Sequence, residues 1–193
     1  MGLDMYLYLR SYESRSRWDI TPDGNEEKTK SFYPKELKTF EDELLQHNFL
    51  SKETMYQVGY WRKFNALHGY FTDKLNKGNE IYDALYIDDD ELEKLTEILK
   101  KVNEILSKSA THKNEYGTII YDCQDEIKNV LPPKDGFFFG SLDIDEYYKE
   151  DVEYSIDLFE KVLKFIKEQR EKNSKIKDRR KRKSWSIYYN ASW

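Results

Sequence analysis

The chain has 193 residues, with 32 Lys+Arg against 37 Asp+Glu for a net charge of −5, and a mean hydropathy of −0.91. No apolar run approaches the roughly 18 residues of a membrane-spanning helix, and the single cysteine, Cys123, excludes intramolecular disulfides and multi-cysteine zinc sites. A chain of this length buries about 70% of its unfolded surface, so it needs no such staple to fold.

The start Met-Gly-Leu-Asp has neither the basic nor the apolar region of a secretory signal, and a cytoplasmic protein is expected. A myristoylation pattern on Gly2 would want Ser or Thr at position 6 and finds Tyr6. The abnormal quantity is aromatic content: 16 Tyr, 10 Phe and 4 Trp make 16% of a chain that is 36% charged. Disordered chains are poor in rings. Large rings therefore supply much of the buried area here, and tyrosine brings a hydroxyl that also suits pockets.

In chain order, Leu3, Met5, Leu7 and Leu9 alternate with Asp4, Tyr6, Tyr8 and Arg10, which predicts a strand. Residues 11–31 are polar around Pro22 and Gly24 and read as a loop or hairpin. Pro34 suits the first position of a helix carrying Leu37, Phe40, Leu44 and Leu45, ending near His47–Asn48. A strand over 52–60 ends at Gly59, and a helix with Trp61, Phe64, Leu67 (or His68), Phe71 and Leu75 on one face stops at Lys77–Asn79. Ile81–Ile87 is a short strand candidate. Asp88, with Glu91 as its reciprocal carboxylate, caps a helix over 89–108. Within 109–134, Gly117–Tyr121 suggests a strand and Asp122–Val130 a short helix, and Phe137–Phe139 follows as a buried strand or strand end. A long amphipathic helix is predicted over 148–171, then a basic loop over 172–183 and a terminal strand with Trp185, Ile187, Tyr189, Ala191 and Trp193 on one face. Strands at both ends without a regular βαβ period predict an α+β fold. A single domain over 1–193 is expected, its one small sheet holding both terminal strands and packed with three to four helices.

Familiar catalytic motifs are missing. No P-loop, Gly-x-Gly-x-x-Gly or Gly-x-Ser-x-Gly occurs, and His47, His68 and His112 are scattered without metal-ligand spacing. No cofactor and no metal are expected. The acidic runs Asp88–Glu91 and Asp143-x-Asp145-Glu146 lack the spacing of a calcium loop and fit helix caps better. The Arg170–Lys183 strip has nine cations against Glu171 and Asp178. It fits a solvated helix end, and with no aromatic residue interleaved, nucleic acid is not the expected partner.

Two segments carry more chemistry. In Gly59-Tyr60-Trp61-Arg62-Lys63-Phe64-Asn65, placed at a strand-to-helix junction, Arg62, Lys63 and Asn65 could hold phosphate or ribose while Tyr60 or Trp61 stacks on a base. Cations in a first helical turn are unfavourable unless an anion is present, which marks the place. Phe137-Phe138-Phe139-Gly140-Ser141 offers rings, a flexible glycine and a hydroxyl, as either core or ligand wall.

Met1–Tyr8, Val58–Lys63 with Asn65 and His68, Phe137–Ser141 with Asp145–Tyr148, and the ending Tyr188-Tyr-x-x-Ser-Trp193 together resemble a family of small bacteriophage proteins, mostly uncharacterised. Ala191-Ser192-Trp193 stands where that family ends Ser-Ser-Trp, and the Pro22 loop and 109–130 look like variable insertions. Phage proteins of this compact type include sponges for nucleotide immune signals such as cyclic ADP-ribose isomers, ADP-ribose conjugates and cyclic oligonucleotides. A compact, aromatic-rich chain without catalytic motifs looks like a candidate for that type, and with the Tyr60–Asn65 junction a homo-oligomeric protein of the host bacterial cytoplasm that binds such a molecule without turnover is expected. Tyr60, Trp61, Arg62, Lys63, Asn65, His68, Phe138, Ser141 and Tyr147 are the candidate ligand contacts. The alternatives are a metal-dependent enzyme using Asp4, Asp143, Asp145 or Glu146 on a nucleotide signal, or a host-protein inhibitor contacting its partner through Arg170–Lys183.

Overall fold

The structure, a computed structural model, describes residues 2–16, 35–40, 49–81, 83–177 and 181–193. Strands β1 (Asp4–Ser16), β2 (Phe49–Arg62), β3 (Leu85–Ile87) and β6 (Ser184–Ser192) form a sheet in the order β2-β1-β6-β3. Strands β4 (Thr111–Lys113) and β5 (Ile119–Tyr121) make a separate antiparallel pair. The described helices are α1 (Asn65–Gly69), α2 (Asp89–Lys108), α3 (Gln124–Lys128) and α4 (Glu146–Lys175), with a π-helical turn over Tyr70–Leu75. The fold is α+β, and the two terminal strands are neighbours in one sheet, as their alternation predicts.

Several boundaries differ from the expected ones. β1 runs on to Ser16, into the expected loop, and the rest of that loop lies outside the described residues. Of the helix expected after Pro34, only Lys35–Phe40 is described, as a 3-10 turn with Leu37 and Phe40 exposed. The helix expected from Trp61 starts at Asn65, because β2 continues to Arg62 and the backbone then turns left-handed at Lys63 (φ 65°). Arg62 and Lys63 thus precede the helix and are not in its first turn. The strand expected over Ile81–Ile87 shortens to Leu85–Ile87. Phe137–Phe139 is a turn, closed by the Phe139 amide on the Gly136 carbonyl at 3.0 Å, with Phe137 94% exposed and Phe139 buried. α4 extends through Lys175, so the first part of the expected basic loop is helical.

The long helices obey their sequence signals. Asp88 accepts the Asp90 amide at 3.0 Å ahead of α2, while Glu91 pairs with Lys94 and not with the cap. Asp145 accepts the Tyr148 amide at 2.9 Å in the opening turn of α4.

The chain divides into two compact units, one of Met1–Leu9, Gln57–Ile166 and Ser186–Trp193, the other of Arg10–Tyr56 and Lys167–Trp185. In the first, Leu3 and, on β1, Met5 and Leu7 are fully buried, as are Leu92, Leu95 and Leu99 of α2 and Val152 and Phe159 of α4. Trp61 anchors the packing: its Nε1 donates to Ser155 Oγ at 2.8 Å and its ring meets Phe159 edge-on at 5.8 Å. A buried indole needs such a partner for its N–H. In the second unit, Arg10 pairs with Glu53 at 3.5 Å, and Lys183 pairs with Glu13 at 3.0 Å and lies over the Trp185 ring. Arg182 Nε and Nη2 donate to the Ile176 carbonyl just past α4. Part of the basic strip therefore completes a helix end, where cations meet the negative end of the helix dipole.

Gly59 lies on β2 where the strand passes close under α4. A Cβ there would lie 2.5 Å from Leu158 Cδ2 and 3.1 Å from Leu7 Cβ. Gly59→Ala is expected to destabilise the protein by about 1–3 kcal/mol through overpacking, read as a lower midpoint in chemical denaturation. An unchanged midpoint would show that the Leu158 side chain makes room for the added methyl and that the contact is not tight.

Candidate functional site

Three stretches far apart in sequence meet at the end of β2. The Lys63 amide donates to the Leu3 carbonyl at 2.8 Å, and the Leu3 amide donates to the Phe138 carbonyl at 3.1 Å. Asn65 Nδ2 donates to the Ser141 carbonyl at 2.8 Å. Gly140 (φ 98°) crosses Lys63 so closely that a Cβ would lie 3.2 Å from Lys63 Cβ. Gly2 is bracketed likewise: a Cβ there would lie 3.3 Å from Lys63 Cε and 3.6 Å from Arg62 Nη2. The two segments singled out in the sequence thus form one corner, together with the first residues of the chain.

Lys63 is strained. A lysine in the left-handed region is disfavoured by about 1–2 kcal/mol, and such outliers concentrate where surrounding structure enforces them. Among the described residues the other non-glycine residue with positive φ, Lys77, sits in the turn that ends the Tyr70–Leu75 segment and has a local explanation.

Beside the corner is a face of tyrosines. Because Leu3, Met5 and Leu7 point into the core, Asp4, Tyr6 and Tyr8 share the opposite face of β1. The rings of Tyr6 and Tyr60 are 5.5 Å apart and those of Tyr6 and Tyr8 6.2 Å apart. Tyr60, 43% exposed, donates its hydroxyl to Asp4 Oδ1 at 2.5 Å. That hydrogen bond raises the Tyr60 pKa, so the phenol stays a donor at neutral pH. Arg62 and Lys63 are exposed, and neither forms an ion pair with a described carboxylate. They are two unpaired cations in a unit with 14 Lys+Arg against 24 Asp+Glu.

Behind the corner a polar chain runs outward from buried His68 to exposed Asp73. His68 is 0% exposed; its Nδ1 shares a 2.8 Å hydrogen bond with the Tyr189 hydroxyl, and its Nε2 stands 3.5 Å from Glu80 Oε2. Lys134 Nζ donates to Thr72 Oγ1 at 2.7 Å and Asp73 Oδ1 at 2.9 Å, and lies 3.9 Å from Glu80 Oε1. Burial lowers the His68 pKa, against the opposing pull of Glu80, so its neutral form is favoured. The rings of Phe139 and Trp193 pack edge-on against His68 at 5.0 and 5.4 Å. Trp193 keeps 38% of its surface exposed while holding these contacts.

Of the residues nominated from sequence, Tyr60, Arg62, Lys63 and Ser141 are exposed at or beside the corner, and Phe138 is half-buried there against Phe137. Trp61 and His68 are enclosed in the core, and Asn65 is buried as a brace between segments. Tyr147 projects from the first turn of α4 and shares no hydrogen bond or ring contact with the others. Asp4, Tyr6, Gly2 and Gly140 were not nominated as contacts. Alternation already set Asp4 and Tyr6 on one face; nothing in the sequence shows which strand lies beside them. Among the described residues no group of three His, Cys, Asp or Glu side chains is arranged to hold a metal ion.

Comparison with family models, curated proteins and solved structures finds no match.

Two substitutions probe these electrostatics and strains. Lys63→Gly relieves the left-handed strain but frees the unfolded chain, so stability is expected to be unchanged or higher by up to about 1 kcal/mol; a clear loss in thermal melting would contradict the strain. Asp151 is held at about 7 by burial, then by Glu150 and Asp145. Its folded pKa exceeds the ordinary carboxylate value, so its contribution is fully present at acid pH and lost as pH rises through about 7. Asp151→Asn is therefore expected to stabilise the protein at pH 8 by on the order of a few kcal/mol, read as a higher melting temperature, and to change little below pH 4. An equal effect at both pH values would contradict this.

Proposed function

We propose that the protein binds a nucleotide-derived small molecule and holds it without turnover, in keeping with the sequestering role implied by its resemblance to phage proteins. The observation that carries the reading is the pairing of exposed, unpaired Arg62 and Lys63 with the Tyr6–Tyr60 rings on one edge of the sheet. Guanidinium and ammonium groups suit phosphate, and tyrosine rings offer a stacking surface that accepts any base, worth about 1–3 kcal/mol per stacked base. The strain at Lys63 supports it, since a left-handed lysine contributes nothing to the core yet carries its cation to the rim. His68 and Trp61 enter as support for the wall behind the site, with no ligand contact.

The test is calorimetric titration with AMP, ADP-ribose, a cyclic ADP-ribose isomer and a cyclic dinucleotide, followed by chromatography of the ligand after the protein is denatured. At least one is expected to bind and return unchanged, and Arg62→Ala/Lys63→Ala is expected to weaken it tenfold or more. No heat with any of them at protein well above micromolar overturns the reading, and recovery of a cleaved product overturns the absence of turnover.

A further inference from the structure

Resting on that reading, we propose that Asp4 is the residue that selects a ribonucleotide, its carboxylate accepting hydrogen bonds from the 2′- and 3′-hydroxyls of the sugar. Three positions on β1 and its approach carry the argument. Gly2 lies against the Arg62 and Lys63 side chains, Asp4 is tied to the Tyr60 hydroxyl, and the Tyr6 ring is 5.5 Å from that of Tyr60. In extended chain, alternate residues share a face about 7 Å apart. The order along the strand is thus cationic end, carboxylate, ring, which is the order phosphate, sugar, base in a nucleotide laid along it.

The state of the carboxylate fits this part. Asp4 Oδ1 accepts from Tyr60, while Oδ2 accepts no hydrogen bond from a described residue. Nor does Asp4 form an ion pair with Arg62, whose guanidinium is at Gly2. The Tyr60 hydroxyl fixes the carboxylate, so an incoming diol meets a preset acceptor and little side-chain ordering is needed on binding. An acceptor that a ligand leaves unmatched is desolvated without return, and discrimination of this kind exceeds what shape supplies.

The experiment titrates the full-length protein with AMP, 2′,3′-dideoxy-AMP and inosine monophosphate. AMP is expected to bind at least tenfold tighter than the dideoxy compound, and inosine monophosphate about as well as AMP. Asp4→Asn is expected to erase the sugar preference while keeping the weaker common affinity, and Arg62→Ala to weaken AMP and its dideoxy form alike. Thermal melting of each variant checks that it is folded, and Tyr60→Phe, which unties the carboxylate, is expected to reduce the preference in part. Equal binding of AMP and the dideoxy compound overturns the assignment and leaves nucleotide binding standing. A preference for AMP over inosine monophosphate with no sugar effect would place the base edge on Asp4 and also overturns it. Failure of all three to bind overturns the ribose assignment, and the wider panel above then decides the parent reading.

Discussion

The hydrogen bond from the Lys63 amide to the Leu3 carbonyl ties a left-handed residue to the start of the chain, and the features of the site depend on it. It pins the first residues of the chain to the end of β2, and the Leu3 amide passes that restraint to Phe138. Because the turn comes after Arg62, the strand is complete before α1 begins, and both cations project from a rim and not from a helix. The crossing glycine, Gly140, has φ 98° and no side chain to collide with Lys63, so the turn and the 136–141 loop require each other.

Beneath this rim the enclosure is aromatic. Trp61 points inward from β2 to Ser155, and His68 sits under Phe139 and Trp193 with Tyr189 as its partner. The Trp61 indole and His68 Nδ1 are matched, whereas His68 Nε2 makes no hydrogen bond to a described residue and has only the Glu80 carboxylate 3.5 Å away; the matched pairs fix one arrangement of the wall in place of several. Packing on one face of the sheet therefore leaves the other for Asp4, Tyr6 and Tyr60. The ring surplus in the composition serves both purposes, with Trp61, Phe64, Phe71, Phe159 and Tyr189 in the core and Tyr60 at the surface.

Regular elements were legible because their signals are local. The apolar spacing and Asp88 cap locate α2 to the residue, and the alternation of Leu3–Arg10 and Trp185–Trp193 gives both terminal strands. The site was half legible. Tyr60, Arg62 and Lys63 are marked by a local conflict, cations where a helix start was expected, and the conflict disappears because the helix starts later. What could not be read were contacts across long separations: His68 with Tyr189 is 121 positions apart and Tyr60 with Asp4 is 56. A left-handed lysine also has no compositional mark, whereas the glycine that accommodates it has one.

The most direct measurement of the central claim is residue-resolved: backbone amide chemical shifts of the labelled protein during titration with AMP. The account predicts saturable shifts concentrated at Gly2–Tyr8, Tyr60–Asn65 and Gly140–Ser141, with α2 and the Arg170–Lys177 helix end unmoved. Shifts that map instead to the basic strip, or a spectrum unchanged at millimolar AMP, would contradict a nucleotide site at the Lys63 corner.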